Sequence, residues 1–134
     1  MKEIKIATKL CQISESIAAY NGDLATTLVL ELLQDKVEPK RILVDGLSKG
    51  MAIVSDKFNR LELFLPHLIM ASDAMQLATS KMIEALPKNE KENFILGKVV
   101  IGTVRGDIHD LGKNIYKTML AASGFEIYDL GVDV

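Results

Sequence analysis

Up to residue 87 the apolar residues of this chain recur every three or four positions, the spacing that gathers them on one face of a helix. Leu10, Ile13, Ile17 and Tyr20 make the first such face, and Asn21-Gly22 closes it. Asp23 suits the cap of a second helix, whose buried side carries Leu24, Leu28, Leu32 and Leu33. Pro39 fits the first turn of a third, running to about Leu47. Ser48 then caps a fourth through Met51, Val54 and Phe58. Pro66 opens the longest, which reaches about Leu86 with Ile69, Met75, Met82 and Ile83 apolar. Connections this short join antiparallel neighbours, so residues 1–87 are expected to form a helical bundle.

The pattern then changes. Pro87-Lys-Asn-Glu-Lys-Glu-Asn93 is charged and lacks an apolar face, so residues 88–97 read as a linker. Lys98-Val-Val-Ile101 is rich in β-branched residues and predicts a buried strand. Leu111–Ser123 returns to helical spacing, and Phe125–Leu130 is a second strand ended by Gly131. Strand, helix and strand in this order make a parallel unit, the N-terminal part of a flavodoxin- or Rossmann-like domain over residues 98–134. A doubly wound sheet has about five strands, so a truncated chain is expected. The predicted fold class is mainly α, a helical bundle followed by an incomplete α/β portion.

Composition narrows the classes of function. The chain is 49% hydrophobic and 25% charged, ordinary for a globular protein. Its net charge of −2 gives no basic footprint for nucleic acid. No apolar run approaches a membrane span and Met1–Lys9 lacks a signal-peptide core, so a cytoplasmic protein with no membrane partner is expected. The single cysteine, Cys11, cannot form an internal disulfide or a Cys-only zinc site. Its place among helical apolar residues predicts a small buried side chain. His67 has no second ligand nearby and reads as a surface or hydrogen-bonded histidine.

The chemistry concentrates between the first strand and the helix after it, in Gly102-Thr-Val-Arg-Gly-Asp-Ile-His-Asp-Leu-Gly112. A phosphate-binding P-loop needs four residues between its glycines and then Lys-Ser/Thr. Here Gly106 and Gly112 are separated by five, and Lys113 is followed by Asn114, so the hydroxyl that holds Mg²⁺ is missing. The dinucleotide fingerprint fails too, because Gly102, Gly106 and Gly112 do not fit its spacing. The third reading is Asp107-x-His109-x-x-Gly112, with the histidine as a metal ligand.

That pattern resembles the cobalamin-binding signature of corrinoid proteins. The longer string from Gly102 to Ile115, ending Gly-Lys-Asn-Ile, is similar to the form in methionine synthase and the corrinoid proteins of anaerobic methyltransferase systems. The resemblance implies that His109 replaces the cofactor's own base as lower axial ligand of cobalt, assisted by Asp107. It also places Gly106, Ile108, Asp110 and Gly112 against the corrinoid. Val54-Ser-Asp-Lys-Phe58 and Leu63-Phe-Leu-Pro-His-Leu-Ile-Met70 resemble the helical cap of the same family. By position, Phe58, Leu65 and Leu68 would cover the methyl-bearing face. The implied function is a methyl carrier. A donor-specific methyltransferase loads the cobalt, an acceptor methyltransferase unloads it, and a reductive activator restores it. The family continues with a Ser/Thr loop and a glycine pair that line the nucleotide tail, neither of which is in this sequence. Weak cobalamin binding is therefore expected of these residues alone. Self-association through Lys98–Val104 is also expected, since that strand lacks a neighbour on one side.

Two other classes stay open. A cobalamin-dependent sensor pairs a helical bundle with the same loop, and usually adds a signalling or nucleic-acid-binding domain. A cofactor-free, flavodoxin-like interaction domain would use Asp107, Asp110 and Asp129 only to solvate loop ends.

Overall fold

Helix α1 spans Lys2–Ala18 and α2 Gly22–Gln34. A short α3, Pro39–Ile42, runs through a π-helical turn, Leu43–Leu47, straight into α4, Ser48–Asn59. Helix α5 is Leu65–Glu84. The computed structural model describes residues 1–94, 97–122 and 125–134, and these divide into two units, Met1–Leu86 and Pro87–Val134. The first unit is built on α1, with α2 and α4 against it and α5 packed along α2. Ile13, Ile17, Val29, Leu32, Ile42, Leu47, Val54 and Met82 are fully buried there. Each such side chain contributes about 1.5–3 kcal/mol by leaving water.

Small residues set how closely these helices approach. A Cβ on Gly50 would lie 2.6 Å from the Ile17 Cβ and 2.9 Å from the Ser14 carbonyl oxygen, so α4 meets α1 nearly backbone to backbone. Ser14 Oγ donates to the Gly46 carbonyl at 2.8 Å across the same seam. On the other side a Cβ on Gly22 would come within 3.0 Å of the Ala74 Cα. Ala71, Ala74 and Ala78 are buried on α5, as are Ser72 and Thr79, whose hydroxyls find no partner among the described residues.

Several expectations need correction. Asn21, not Asp23, caps α2, its side chain accepting the Leu24 N–H at 3.0 Å. The close packing of Gly22 on Ala74 fixes where that helix begins. Asp23 therefore sits in the first turn, where its charge suits the helix dipole, and Leu24 faces solvent. Cys11 is exposed, because the stripe through Ile6, Leu10, Ile13 and Ile17 leaves position 11 off the buried face. Ser48 caps nothing, since the backbone is helical on both sides of it. The reason lies in the spacing. Ile42, Gly46, Gly50 and Val54 are buried at intervals of four, and in a 3.6-residue helix such a stripe drifts by about 40° per step. One wide π turn takes up the excess and keeps the whole stripe on the core.

The second unit begins with α6, Lys88–Phe94, so most of the expected linker is helical; its residues 95–96 lie outside the described residues. Strand β1, Gly97–Ile101, pairs in parallel with β2, Phe125–Asp129, placing Val99 opposite Ile127. Helix α7, Leu111–Ala122, makes the crossover and packs on β2; Ser123, the expected helix end, lies outside the described residues. The strand β1 is covered on one face instead of both: Val99 and Ile101 are half-buried, whereas Val100 is 66% exposed. Among the described residues, β2 is its one pairing partner. No described helix is long and apolar enough to cross a membrane.

Candidate functional site

The loop between β1 and α7 leaves the carboxyl end of a parallel strand, the edge at which open α/β sheets bind ligands. Gly106 takes φ +86°, a left-handed backbone that a side chain would strain, and lets the loop reverse. Asp107 follows, and its N–H donates to the Val104 carbonyl at 3.1 Å. The Asp107 Oδ1 then accepts twice from His109: from the backbone N–H at 2.9 Å, and from ring Nδ1 at 2.5 Å. These bonds, the backbone one first and the imidazole one second, hold the Asp107 carboxyl below its ordinary range.

The consequence for His109 is a defined tautomer. With Nδ1–H directed at a carboxylate, Nε2 is left with its lone pair outward. The ring is 91% exposed, and no described residue bonds Nε2. From below, the buried Thr103 fixes the backbone, its Oγ1 donating to the His109 carbonyl at 2.9 Å.

The remaining predicted loop residues are open to approach. Ile108 is 78% exposed, and Asp110 is exposed while its carbonyl accepts the Asn114 N–H at 2.8 Å, starting α7. A Cβ built on Gly106 or Gly112 would meet nothing within 4 Å. Gly112 has no left-handed backbone either, so the chain itself makes no demand for glycine there. Phe58, Leu65 and Leu68 belong to the first unit. Phe58 ends α4 half-buried, Leu65 is exposed at the start of α5, and Leu68 is half-buried one turn on. None joins the buried core, and Leu61, Phe64 and Met70 beside them in sequence are exposed as well. His67 resolves as a hydrogen-bonded histidine: its Nδ1 accepts the Phe64 N–H at 3.0 Å and so secures the first turn of α5.

Sequence reasoning missed the residues that hold this loop. Lys113 Nζ lies 2.8 Å from both oxygens of Asp129, and Lys117 Nζ 2.9 Å from one of them. The Gly131 N–H adds a fourth bond at 2.9 Å. Lys113 first, then Lys117 and the Gly131 amide, hold the Asp129 carboxyl well below the usual range. The Lys113 side chain is only 8% exposed, so α7 is pinned to the end of β2 by a largely buried ion pair. Lys113 and Lys117, four apart on one helix face, were a faint signal for this. Asp133, whose contacts with Gly106 and Asp107 are described below, left none.

A helical unit followed by a parallel β–α–β unit, with a carboxylate-held histidine in the loop leaving the first strand, makes a chain of mixed helical and α/β class. This chain belongs to the B12 binding domain family, which matches residues 10–81, more than half its length and all within the helical unit. It is similar to dimethylamine corrinoid protein 1 of Methanosarcina mazei, 44% identical over 125 residues that cover 93% of this chain and 57% of that protein. Among solved structures it resembles the monomethylamine corrinoid protein of Methanosarcina barkeri, with TM-score 0.59 and 41% identity over 92% of this chain and 57% of the other. It also resembles a chain of the methanol:cobalamin methyltransferase complex MtaBC from Methanosarcina barkeri, with TM-score 0.74 and 30% identity over 95% and 48% of the two chains. The chain thus spans about half the length of the relatives it matches.

Proposed function

We propose that this chain is part of a corrinoid methyl carrier, in which His109 is the lower axial ligand of cobalt. The observation that carries this reading is the pairing of His109 Nδ1 with Asp107, which leaves an exposed Nε2 as the donor. The donor set fits. No three His, Cys, Asp or Glu side chains converge on a point among the described residues, so His109 suits a metal whose other ligands arrive with it. A corrin ring would bring most of the ligands of cobalt with it, leaving His109 Nε2 as the one metal donor asked of this loop. Gly106 and Gly112 add no side chain beside it.

Bound cobalamin would supply a cobalt centre able to accept a methyl group and to give it up. The residues of this chain do the rest. Asp107 holds the proton on Nδ1, fixing the ring's orientation and raising the basicity of Nε2. Phe58, Leu65 and Leu68 are assigned the role of apolar cover, on the ground of their incomplete burial within their own unit, to exclude water from a reactive cobalt–carbon bond. Methyl-donor and acceptor methyltransferases and a reductive activator are the partners this role requires, and Pro87–Asn93 is the proposed tether for withdrawing the cover. The exposed edge of β1 is proposed to pair with a second copy.

The test is spectroscopic. Cobalamin in its Co(II) state, mixed with the chain labelled with nitrogen-15, should show an axial nitrogen whose hyperfine pattern changes from triplet to doublet on labelling. His109→Ala should abolish it. Where cobalamin co-elutes with the chain, a pattern that ignores the label means the protein supplies no nitrogen ligand, and the reading fails.

A further inference from the structure

We propose that Asp133, 27 positions beyond Gly106, is a positioning residue for His109; the role rests on the reading of His109 as the cobalt ligand. Asp133 grips the loop from both sides of one peptide unit. Its Oδ1 accepts the Gly106 N–H at 2.6 Å, and its own N–H donates to the Asp107 carbonyl at 3.1 Å. The backbone of Asp107 is therefore fixed at the point from which its carboxylate reaches His109. Between Val104 and His109 the loop has, among the described residues, one backbone bond of its own, from Asp107 to Val104. Asp133 and Thr103 supply the other ties, one at each end of the Asp107–His109 pair.

Asp133 is itself held. Beyond β2 the chain continues beside the loop: the Leu130 N–H donates to Ile101, Thr103 to Gly131, and Val134 back to Thr103, at 2.8–2.9 Å. Caught between these bonds, Asp133 adopts φ +56°, a left-handed backbone that glycine, asparagine and aspartate adopt more readily than other residues. Its carboxylate adds the extra strength of a charged acceptor to the Gly106 bond. Groups that touch a metal ligand directly, as Asp107 touches His109, typically alter affinity by about 10–100-fold when removed; Asp133, one step further back, belongs at the low end of that range.

Two substitutions separate side chain from backbone. Asp133→Asn and Asp133→Gly both tolerate the left-handed conformation, but only Asn keeps an acceptor for Gly106. In the cofactor-free 134-residue chain, nitrogen NMR of the His109 ring should show the Nδ1-protonated tautomer in the wild type and Asp133→Asn. Asp133→Gly should show a mixture of tautomers. With cobalamin as the probe, Asp133→Gly should bind about 10-fold more weakly and with less imidazole ligation, while Asp133→Asn stays near the wild type. Unchanged tautomer balance and unchanged affinity in Asp133→Gly would overturn the proposal. If His109→Ala leaves the cobalamin spectrum untouched, the ligand reading falls by itself, and the tautomer balance still decides whether Asp133 positions the ring.

Discussion

One oxygen of Asp107, Oδ1, takes both the backbone N–H and the ring Nδ1–H of His109, two residues on. The same atom thus sets where the histidine backbone lies and which ring nitrogen is left bare. Charge and geometry are separable here. Asp107→Asn keeps an acceptor oxygen and loses the charge, whereas Asp107→Ala loses both. Cobalamin affinity should fall in that order, by about 10-fold and then towards 100-fold. A spectral titration of the three proteins measures it, and equal affinity across the series would remove Asp107 from the site.

The Asp129 clamp predicts an acid response in the second unit. A carboxyl whose folded value is depressed stabilises the fold above the ordinary carboxylate range, and that contribution is lost as pH falls towards the depressed value. Asp129→Asn should therefore melt lower than wild type at neutral pH, leaving Lys113 largely buried without its charge partner. The gap should narrow below about pH 4. Thermal melts followed at amides of β2 would show it, and a gap independent of pH would mean the clamp acts by shape alone.

Packing in the first unit predicts two effects of opposite sign. Gly50→Ala forces a methyl into the Ile17 and Ser14 contact and should destabilise by about 1–3 kcal/mol. Ser72→Ala removes a buried hydroxyl that bonds to no described residue, and should stabilise by about 1 kcal/mol. Urea denaturation of both variants checks the pair, and a neutral Gly50→Ala would show that α1 and α4 can part without penalty.

The edge of β1 that is unpaired among the described residues predicts concentration-dependent association. Sedimentation velocity should show a dimer growing with concentration, and Val100→Lys, which places a charge on the edge strand, should return the chain to monomer. A monodisperse monomer at every concentration would sink the idea.

What was legible in the sequence followed from local repeats. The apolar stripes gave the helices, Pro66 the start of α5, and the β-branched run with its glycine-rich loop gave β1, α7 and β2. Asn21-Gly22-Asp23 offers two capping residues, and the choice is made by Ala74, a tertiary contact that local sequence does not contain. The ties around the loop join positions 16 residues apart, for Lys113 and Asp129, and 27 apart, for Gly106 and Asp133. Lys113, Asp129 and Asp133 are charged residues that in one dimension read as solvated surface. Cys11 misled for the opposite reason, being apolar by type but off the stripe by angle.

The wide turn at Leu43–Leu47 has a consequence for how this gene can be edited. Deleting any one residue there would yield a regular α-helix from Pro39 to Asn59, locally an improvement. The lost residue and the lost wide turn offset each other, so everything downstream would keep its orientation relative to α3. Met51 and Val54 would stay on the core and Gly50 against Ile17, whereas the same deletion inside α4, with no wide turn to absorb it, would turn the residues beyond it by about 100°. The segment works as slack: it can lose a residue that the helices on either side cannot.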